Sequence, residues 1–351
     1  MSKKIRVGII FGGKSAEHEV SLQSAKNIIE ALDKNKYEPI LIGIDKKGGW
    51  HLQNNANFLL HANDPKQIAI KDVSQDLSIT PGRNDQRIDV VFPVLHGTYG
   101  EDGTMQGMLK LLNVPFVGPS VLGSAVAMDK DVAKRLMRDA GLPIARFLVF
   151  KKEDEFDPGL VIKKLGLPVF VKPANLGSSV GISKAKSEDE LKKAVDEAFQ
   201  YDNKILIEEF VAGREVECAV LGNEAPKASI PGEVIPHHEF YSYEAKYIDE
   251  NGAALEIPAK LSDKEIRLIQ ELAVKTFKTL ELEGMSRVDF FLKPNGEALV
   301  NEVNTIPGFT KISMYPKLWE ALGITYSELI DQLIQLAIQR YEKESRLKTN
   351  Y

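Results

Sequence analysis

Apolar and polar positions alternate with a changing period along the chain. Short apolar runs at Arg6 to Phe11, Glu38 to Ile44 and Val90 to Leu95 predict buried strands, and a helical spacing from Ser21 to Leu32 separates the first two. This rhythm predicts parallel strands with crossover helices, whose ligands gather at the strands' carboxyl ends. Two glycine-containing segments fall at those ends, Gly12-Gly-Lys-Ser-Ala-Glu-His-Glu-Val-Ser21 and His96-Gly-Thr-Tyr-Gly-Glu-Asp-Gly103. The middle third predicts a small α+β unit. It holds a helix carrying Asp129-Lys130, a Gly141-Leu-Pro143 breaker, strands at Pro168 to Lys172 and Val180 to Lys184, and a strand from Lys204 to Phe210. Within it, Ser187-Glu-Asp-Glu190 is a capping box opening an amphipathic helix to Phe199.

The last third begins with a loop-rich span, 230–260. A second capping box, Ser262-Asp-Lys-Glu265, precedes a helix expected to bury Ile266, Ile269, Leu272 and Phe277. A final amphipathic helix from Thr325 to about Arg346 places Leu329, Ile330, Leu333 and Leu336 on one side. Between these helices, strands Ser286 to Lys293 and Glu297 to Val303 flank Asn295-Gly296, a dipeptide suited to a tight turn. If those two residues alone form the turn, Asp289 lies opposite Glu302; with a four-residue loop, Arg287 does instead. In either register Arg287, Asp289, Glu302 and Asn304 share one face. Three hard oxygen donors beside a guanidinium suit Mg²⁺ and the phosphates it carries, while the bland alternative is a solvated hairpin face.

Composition narrows the function classes. At 351 residues the chain exceeds one ordinary core, so two or three domains are expected. A net charge of −5 gives no support to a nucleic-acid or anionic-membrane partner. The single cysteine, Cys218, excludes an intrachain disulfide and reads as a buried inert thiol. The apolar run Val7 to Phe11 is too short for a signal segment, and nothing reaches the roughly 18 apolar residues of a membrane helix, so a cytoplasmic location is expected. His18, His51, His61, His237 and His238 lack metal-ligand spacing with any cysteine and read as surface residues.

Further groups carry candidate chemistry. Gly177-Ser-Ser-Val-Gly181 joins two predicted strands and can aim backbone N–H groups at phosphate oxygens, although it lacks the Gly-Lys-Ser/Thr ending of a Walker loop and the strand-to-helix setting of a dinucleotide fingerprint. Lys172 ends the apolar strand before it and projects toward the same phosphates, with Lys130 a second cation. Glu208 and Glu209 end the strand Ile205-Leu-Ile207, where a turning backbone can meet a purine edge and Glu215 can accept from ribose hydroxyls; an edge strand is the plain alternative.

Taken together these motifs resemble the ATP-grasp superfamily, and within it the D-alanine–D-alanine ligases. The resemblance spans nearly the whole chain and rests on Gly12 to Ser21, Leu95-His-Gly97, Gly100-Glu-Asp-Gly-Thr-Met-Gln-Gly107, Val171-Lys-Pro-Ala-Asn-Leu-Gly-Ser-Ser-Val-Gly181, Tyr243-Glu-Ala-Lys-Tyr247, Ser286-Arg-Val-Asp289 and Asn301-Glu-Val-Asn-Thr-Ile-Pro-Gly308. It implies an α/β fold with α+β parts in three domains: a Rossmann-like parallel-sheet domain over 1–121 contributing to the first D-alanine site, a central ATP-grasp lid over 122–213, and a C-terminal ATP-grasp domain over 214–351 with a mobile loop at 235–260. The activity it implies is ATP-dependent condensation of two D-alanines through an acyl phosphate, releasing ADP and phosphate for peptidoglycan precursors. Alternatives are a D-alanine–D-lactate ligase and a non-catalytic ATP-binding regulator.

The same resemblance assigns residues. Lys130, Lys172 and Ser179 meet the phosphates, Lys246 lies near the γ-phosphate, Glu208 and the main chain of Glu209 and Val211 meet adenine, and Glu215 meets ribose. Two Mg²⁺ ions, for which Mn²⁺ can substitute, are held by Asp289, Glu302 and Asn304. Glu17 receives the amine of the first D-alanine in a network with Ser178 and Tyr247; His96 borders the acceptor side. Ser313 and Met314 receive the second carboxylate, the latter through its backbone; many relatives have Leu at that position. Arg287 and the Gly308 N–H face the oxyanion. Tyr247 favours an amine over a hydroxyl acceptor. A homodimer is the implied assembly.

Overall fold

The computed structural model describes residues 3–53, 59–62, 64–70, 88–177, 180–236 and 253–348. Its amino-terminal sheet is built on β1 (Ile5–Gly12), which pairs in parallel with β2 (Tyr37–Ile44) on one side and a later strand, Val90–Val94, on the other. Helix α1 (His18–Ala31) is the crossover between β1 and β2, β3 (Trp50–Gln53) adds an antiparallel edge, and β4 (Leu59–Leu60) with β5 (Ala69–Ile70) forms a separate two-stranded ladder. The chain then enters β6, the Val90–Val94 strand, and α2 (Thr104–Leu111). Because the chain leaves β1 first toward β2 and later toward β6, the carboxyl end of β1 is the point where strand order reverses, the usual place for a ligand.

Helix α1 starts ahead of the expected Ser21. Glu17 occupies its N-cap position without a side-chain capping bond, and the Ser21 hydroxyl lies inside the helix, accepting from the Gly12 N–H at 2.7 Å. His18 is buried rather than on the surface, with Nδ1 2.8 Å from the Gly13 carbonyl that it caps. His51 is half-buried against Asp45, while His237 and His238 lie outside the described residues.

Helices α3 (Val121–Met128) and α4 (Lys130–Asp139) lead into an antiparallel sheet of β7 (Phe147–Lys151), β8 (Val169–Pro173), β9 (Ser183–Ala185) and β10 (Lys204–Glu209), ordered β7-β10-β8-β9. One face packs on α5 (Pro158–Leu165) and α6 (Glu188–Ala198) through Val161, Val169, Val171, Leu191, Val195, Ile205 and Ile207. Alternation then turns Phe170, Lys172, Leu206 and Glu208 to the opposite face. The strand expected from Val180 is shorter: Val180 N–H bonds to Gly177 O in a turn, and pairing begins only at Ser183. Ser187 caps α6 as expected, but Glu190 reaches back to the Lys186 N–H instead of closing the box on Ser187.

The third sheet, all antiparallel, runs β14-β13-β11-β15-β16, formed by β11 (Arg214–Gly222), β13 (Gly232–Pro236), β14 (Ala253–Glu256), β15 (Gly284–Leu292) and β16 (Ala298–Asn304), with β12 (Lys227–Ala228) beside β11. The span expected as loop-rich thus contributes two paired strands, β13 and β14. Helix α7 (Asp263–Thr279) has the complete Ser262/Glu265 capping box and buries Ile269 and Phe277, with Ile266 and Leu272 only half-buried at its margin. It covers the face containing Cys218, whose thiol burial pushes up to about 12, so the inert reading holds. Helices α8 (Met314–Glu320) and α9 (Tyr326–Glu344) join the first and third sheets in one apolar core containing Phe11, Phe92, Phe309, Trp319, Leu329 and Leu333. The middle sheet keeps a core of its own. No helix of the described residues is long and apolar enough to cross a membrane.

Candidate active site

The turn between β15 and β16 has three residues, 294–296, since Lys293 N–H bonds to Glu297 O and the ladder resumes at Leu292 opposite Ala298. That register alone would set Asp289 against Asn301. A bulge between Asp289 and Phe290 adds one residue to β16 and restores Asp289 opposite Glu302, with Arg287 opposite Asn304. The two-residue turn is therefore incorrect, but the opposition it predicted is present through a different device. On the other side of β15, Glu217 of β11 faces Asp289, so three carboxylates cross three strands in a row.

Arg287 Nε and Nη2 donate to Asp289 Oδ1 and Oδ2 at 2.7 and 2.8 Å, and Nε also lies 2.9 Å from Glu217 Oε2. Asn304 Nδ2 donates to Asp289 Oδ2 at 3.0 Å, which keeps its Oδ1, the atom able to ligate a cation. Among the described residues no group of three or more His, Cys, Asp or Glu side chains gathers as a metal site. The set expected here consists of two carboxylates and a carboxamide, all hard oxygen donors suited to a divalent cation. Glu215 lies two positions before Glu217, on the same face of β11.

Across the cleft stands the open face of the middle sheet. Lys172 Nζ is 2.5 Å from Glu208 Oε2, and Lys134 Nζ is 2.7 Å from Glu208 Oε1; the side chains of Lys134 and Glu208 are only 3% and 4% exposed. Burial opposes ionisation of Glu208, yet Lys134 and then Lys172 hold its carboxyl down to about 2. Burial likewise opposes the Lys172 charge, and Glu208, Glu302 and Glu215 together raise its pKa. Lys130, at the start of α4, donates to Leu176 O at 2.5 Å, and Lys204 locks that helix end by bonding Asp129 and Asp131. Glu209 points away to Arg146 at 2.5 Å, and its N–H is committed to Arg146 O. Val211 is buried beside Ala145 and Leu299.

The third wall comes from the first sheet. Glu17 is buried with Oε2 where a Cβ on Gly97 would approach to 2.6 Å; Gly97 also has φ +71°, so both the conformation and the neighbouring carboxylate require glycine. His96 is buried between Ser24 Oγ, 3.2 Å from Nε2, and Ile306 O, 3.0 Å from Nδ1; burial lowers its pKa against the pull of Glu17. Glu101 bridges two loops, accepting from Gly97 N–H at 2.7 Å and Ile306 N–H at 2.9 Å, while burial and then Glu17 push its carboxyl up to about 8.

The loop carrying Gly308 is anchored by its neighbour. Phe309 N–H donates to Ser24 Oγ at 3.1 Å, its carbonyl accepts from Asn27 and Tyr326, and its ring meets Phe92 edge-on at 5.8 Å. Ser313 Oγ fills the space a Cβ on Gly308 would need, approaching it to 2.7 Å, and Met314 is buried at the start of α8. One cleft is lined from all three sides by Glu101, Lys130, Lys134, Gly177, Glu302 and Asn304. Ser178, Ser179, Lys246 and Tyr247 lie outside the described residues.

Four side chains at this cleft were not read from the chain: Lys134, Glu217, Glu101 and Ser24. Signals existed for three of them. Lys134 is one helical turn after Lys130, Glu217 shares a strand face with Glu215, and Glu101 lies inside the Gly100–Gly107 motif. Nothing local marks Ser24, whose partners are far away in sequence.

Family models described as D-ala D-ala ligase N-terminus and D-ala D-ala ligase C-terminus match residues 6–119 and 136–335. A relative named D-alanine–D-alanine ligase from Shouchella clausii is 56% identical over 100% of this chain and 99% of its own length. D-alanine–D-alanine ligase A of Escherichia coli K12 is 51% identical, covering 99% of both chains. Among solved structures, the D-alanine–D-alanine ligase from Coxiella burnetii superposes with TM-score 0.84 at 40% identity over 98% of this chain and 97% of that one. The VanG D-Ala:D-Ser ligase from Enterococcus faecalis gives 0.79 at 35%, over 95% and 100%.

Proposed function

The chain belongs to the D-alanine–D-alanine ligase family, and from that premise we propose how its cleft carries the reaction. It is an ATP-dependent ligase of the ATP-grasp fold that condenses two D-alanines into a dipeptide, with the divalent cation such ligases employ. The assignment of residues draws its support from one observation: Lys130 and Gly177 face Glu302 and Asn304 across a cleft that the Glu101 loop closes.

A carboxylate resists attack because its charge is delocalised, so ATP converts the first D-alanine to an acyl phosphate; the amine of the second attacks the acyl carbon and phosphate leaves. Lys130 and Lys172, with Ser179 and Lys246, neutralise and hold the phosphates. Glu208, the carbonyl side of Glu209 and Val211 bind the base, and Glu215 the ribose. Asp289, Glu302 and Asn304 would hold two Mg²⁺ ions, with Mn²⁺ able to substitute; their oxygen donor set fits. When bound, such ions neutralise phosphate charge and orient the transferring group.

Glu17 receives the first amine, in a network with Ser178 and Tyr247, and His96 borders the acceptor. Arg287, freed in part from Asp289 as that carboxylate turns to other partners, and the Gly308 N–H stabilise the oxyanion. Ser313 and Met314 hold the second carboxylate, Met314 through its backbone. The segments 1–121, 122–213 and 214–351 act as three domains with 235–260 as the closing loop, in a cytoplasmic homodimer.

The direct test is incubation with ATP, Mg²⁺ and D-alanine, with mass spectrometry of products. Equal yields of ADP, phosphate and D-alanyl-D-alanine are expected. ATP binding without D-alanine-dependent phosphate release would indicate a non-catalytic regulator, and preference for D-lactate or D-serine as acceptor at neutral pH would overturn the dipeptide reading.

A further inference from the structure

The triad Lys134–Glu208–Lys172 contains two ammonium groups and one carboxylate, withdrawn from water at the wall of the cleft. Burying charge is costly, and a buried ion pair is often no more stable than an apolar pair of the same volume. A single lysine would suffice to neutralise Glu208. The second leaves these three groups with one net positive charge, set against Glu302 and Glu215 nearby, at a cleft that, on the reading above, receives a polyanion.

Lys134 is the member without an assigned role. It follows Lys130 by four residues, so α4 presents both ammonium groups on one face, and both line the cleft. Its Nζ lies 5.8 Å from the Phe147 ring centroid, on the strand next to Glu208. Lys172 comes from β8 on the other side, so the carboxylate is clamped between a helix and a strand.

We infer that Lys134 is a positioning residue for nucleotide binding: by pairing with one oxygen of Glu208 it fixes that carboxylate and leaves the charge of Lys172 available to the nucleotide. Without Lys134, Glu208 and Lys172 neutralise one another and the cluster presents no net charge. The inference rests on the nucleotide reading of this cleft. It adds a residue whose contribution passes through Glu208 rather than through contact with the reacting atoms.

The test is isothermal titration of full-length protein with MgATP, alongside steady-state KM values for ATP and D-alanine. Lys134→Met is expected to weaken ATP binding roughly tenfold or more, the scale for truncating one partner of a buried charge pair, with the D-alanine KM within about twofold. In a Glu208→Gln background, where the base contact is already altered and no carboxylate is left to neutralise Lys172, Lys134→Met should cost much less ATP affinity than in the wild type, a non-additivity that simple loss of packing would not produce. If Lys134→Met does not fold, the double variant, which buries no carboxylate there, carries the measurement against Glu208→Gln. Wild-type affinity in Lys134→Met, strictly additive losses, or an equal rise in both KM values would overturn the inference. A wild-type chain that binds no ATP would remove the nucleotide reading itself.

Discussion

At the β15–β16 hairpin, Arg287, Asp289, Glu302 and Asn304 come from adjacent strands and touch through the ladder's own geometry. At the opposite corner, contacts join residues 72 to 285 positions apart: His96 to Ser24, Glu101 to Ile306, His96 to Ile306 and Phe309 to Ser24. The hairpin face exists once one sheet has formed. The corner exists only when the first and third sheets share their core through α9 and Phe309. Changes on the hairpin should therefore alter chemistry with little effect on folding, whereas changes at the corner should alter both.

The largest effect should come from Arg287→Lys. It loses the planar fork that engages Asp289 and Glu217, and turnover should fall roughly 10²-fold or more, the scale for one lost oxyanion donor. Thermal unfolding should be nearly unchanged; wild-type phosphate release would take Arg287 out of the reaction, and a large drop in melting temperature would break the contrast. Glu302→Gln should raise the Mg²⁺ concentration needed for half-maximal turnover about tenfold or more, again with little loss of stability. Unchanged activity at limiting Mg²⁺ would refute the ligand role.

Glu101→Gln tests the corner. Its amide cannot accept on both sides, so either Gly97 N–H or Ile306 N–H loses its partner. We expect a loss of about 1–3 kcal/mol in stability by denaturant titration, with a several-fold fall in turnover. An equally stable variant would mean that the two loops hold their places without the bridge.

The smallest effect concerns acid stability. Glu208 is held down to about 2 from an ordinary 4.5 by Lys134 and Lys172. A depressed carboxyl contributes stability above its unfolded value, and that contribution is lost as pH falls from about 4.5 through about 2. The stability gap between wild type and Glu208→Gln should narrow across this window. A gap constant from pH 5 to pH 2 would show that the triad is not ionised in the folded chain.

Much of this architecture was legible because its signals are local. Short apolar runs placed β1, β2, β6 and β10, capping chemistry marked α7, and the common face of Arg287, Asp289, Glu302 and Asn304 followed from strand period alone. The register was harder, since a three-residue turn plus a bulge leads to the same opposition as a two-residue turn. His18 was misread because its burial depends on β1 and α1 packing together, with the Gly13 carbonyl there to satisfy its Nδ1. The 230–260 span looked loop-rich because the pairing of β13 with β14 is a contact between distant segments, not a property of either.

Candidate groups for phosphate, metal and amine were readable from the chain alone, because side-chain chemistry and short-range periodicity are carried in the residues and their spacing. It took the packed fold to show that Lys134 and Lys172 share one carboxylate, that Glu101 ties two sheets' loops together, and that Ser24 supports both His96 and Phe309. Those arrangements depend on burial and on distances across separate elements, and no local pattern encodes either until the sheets have packed.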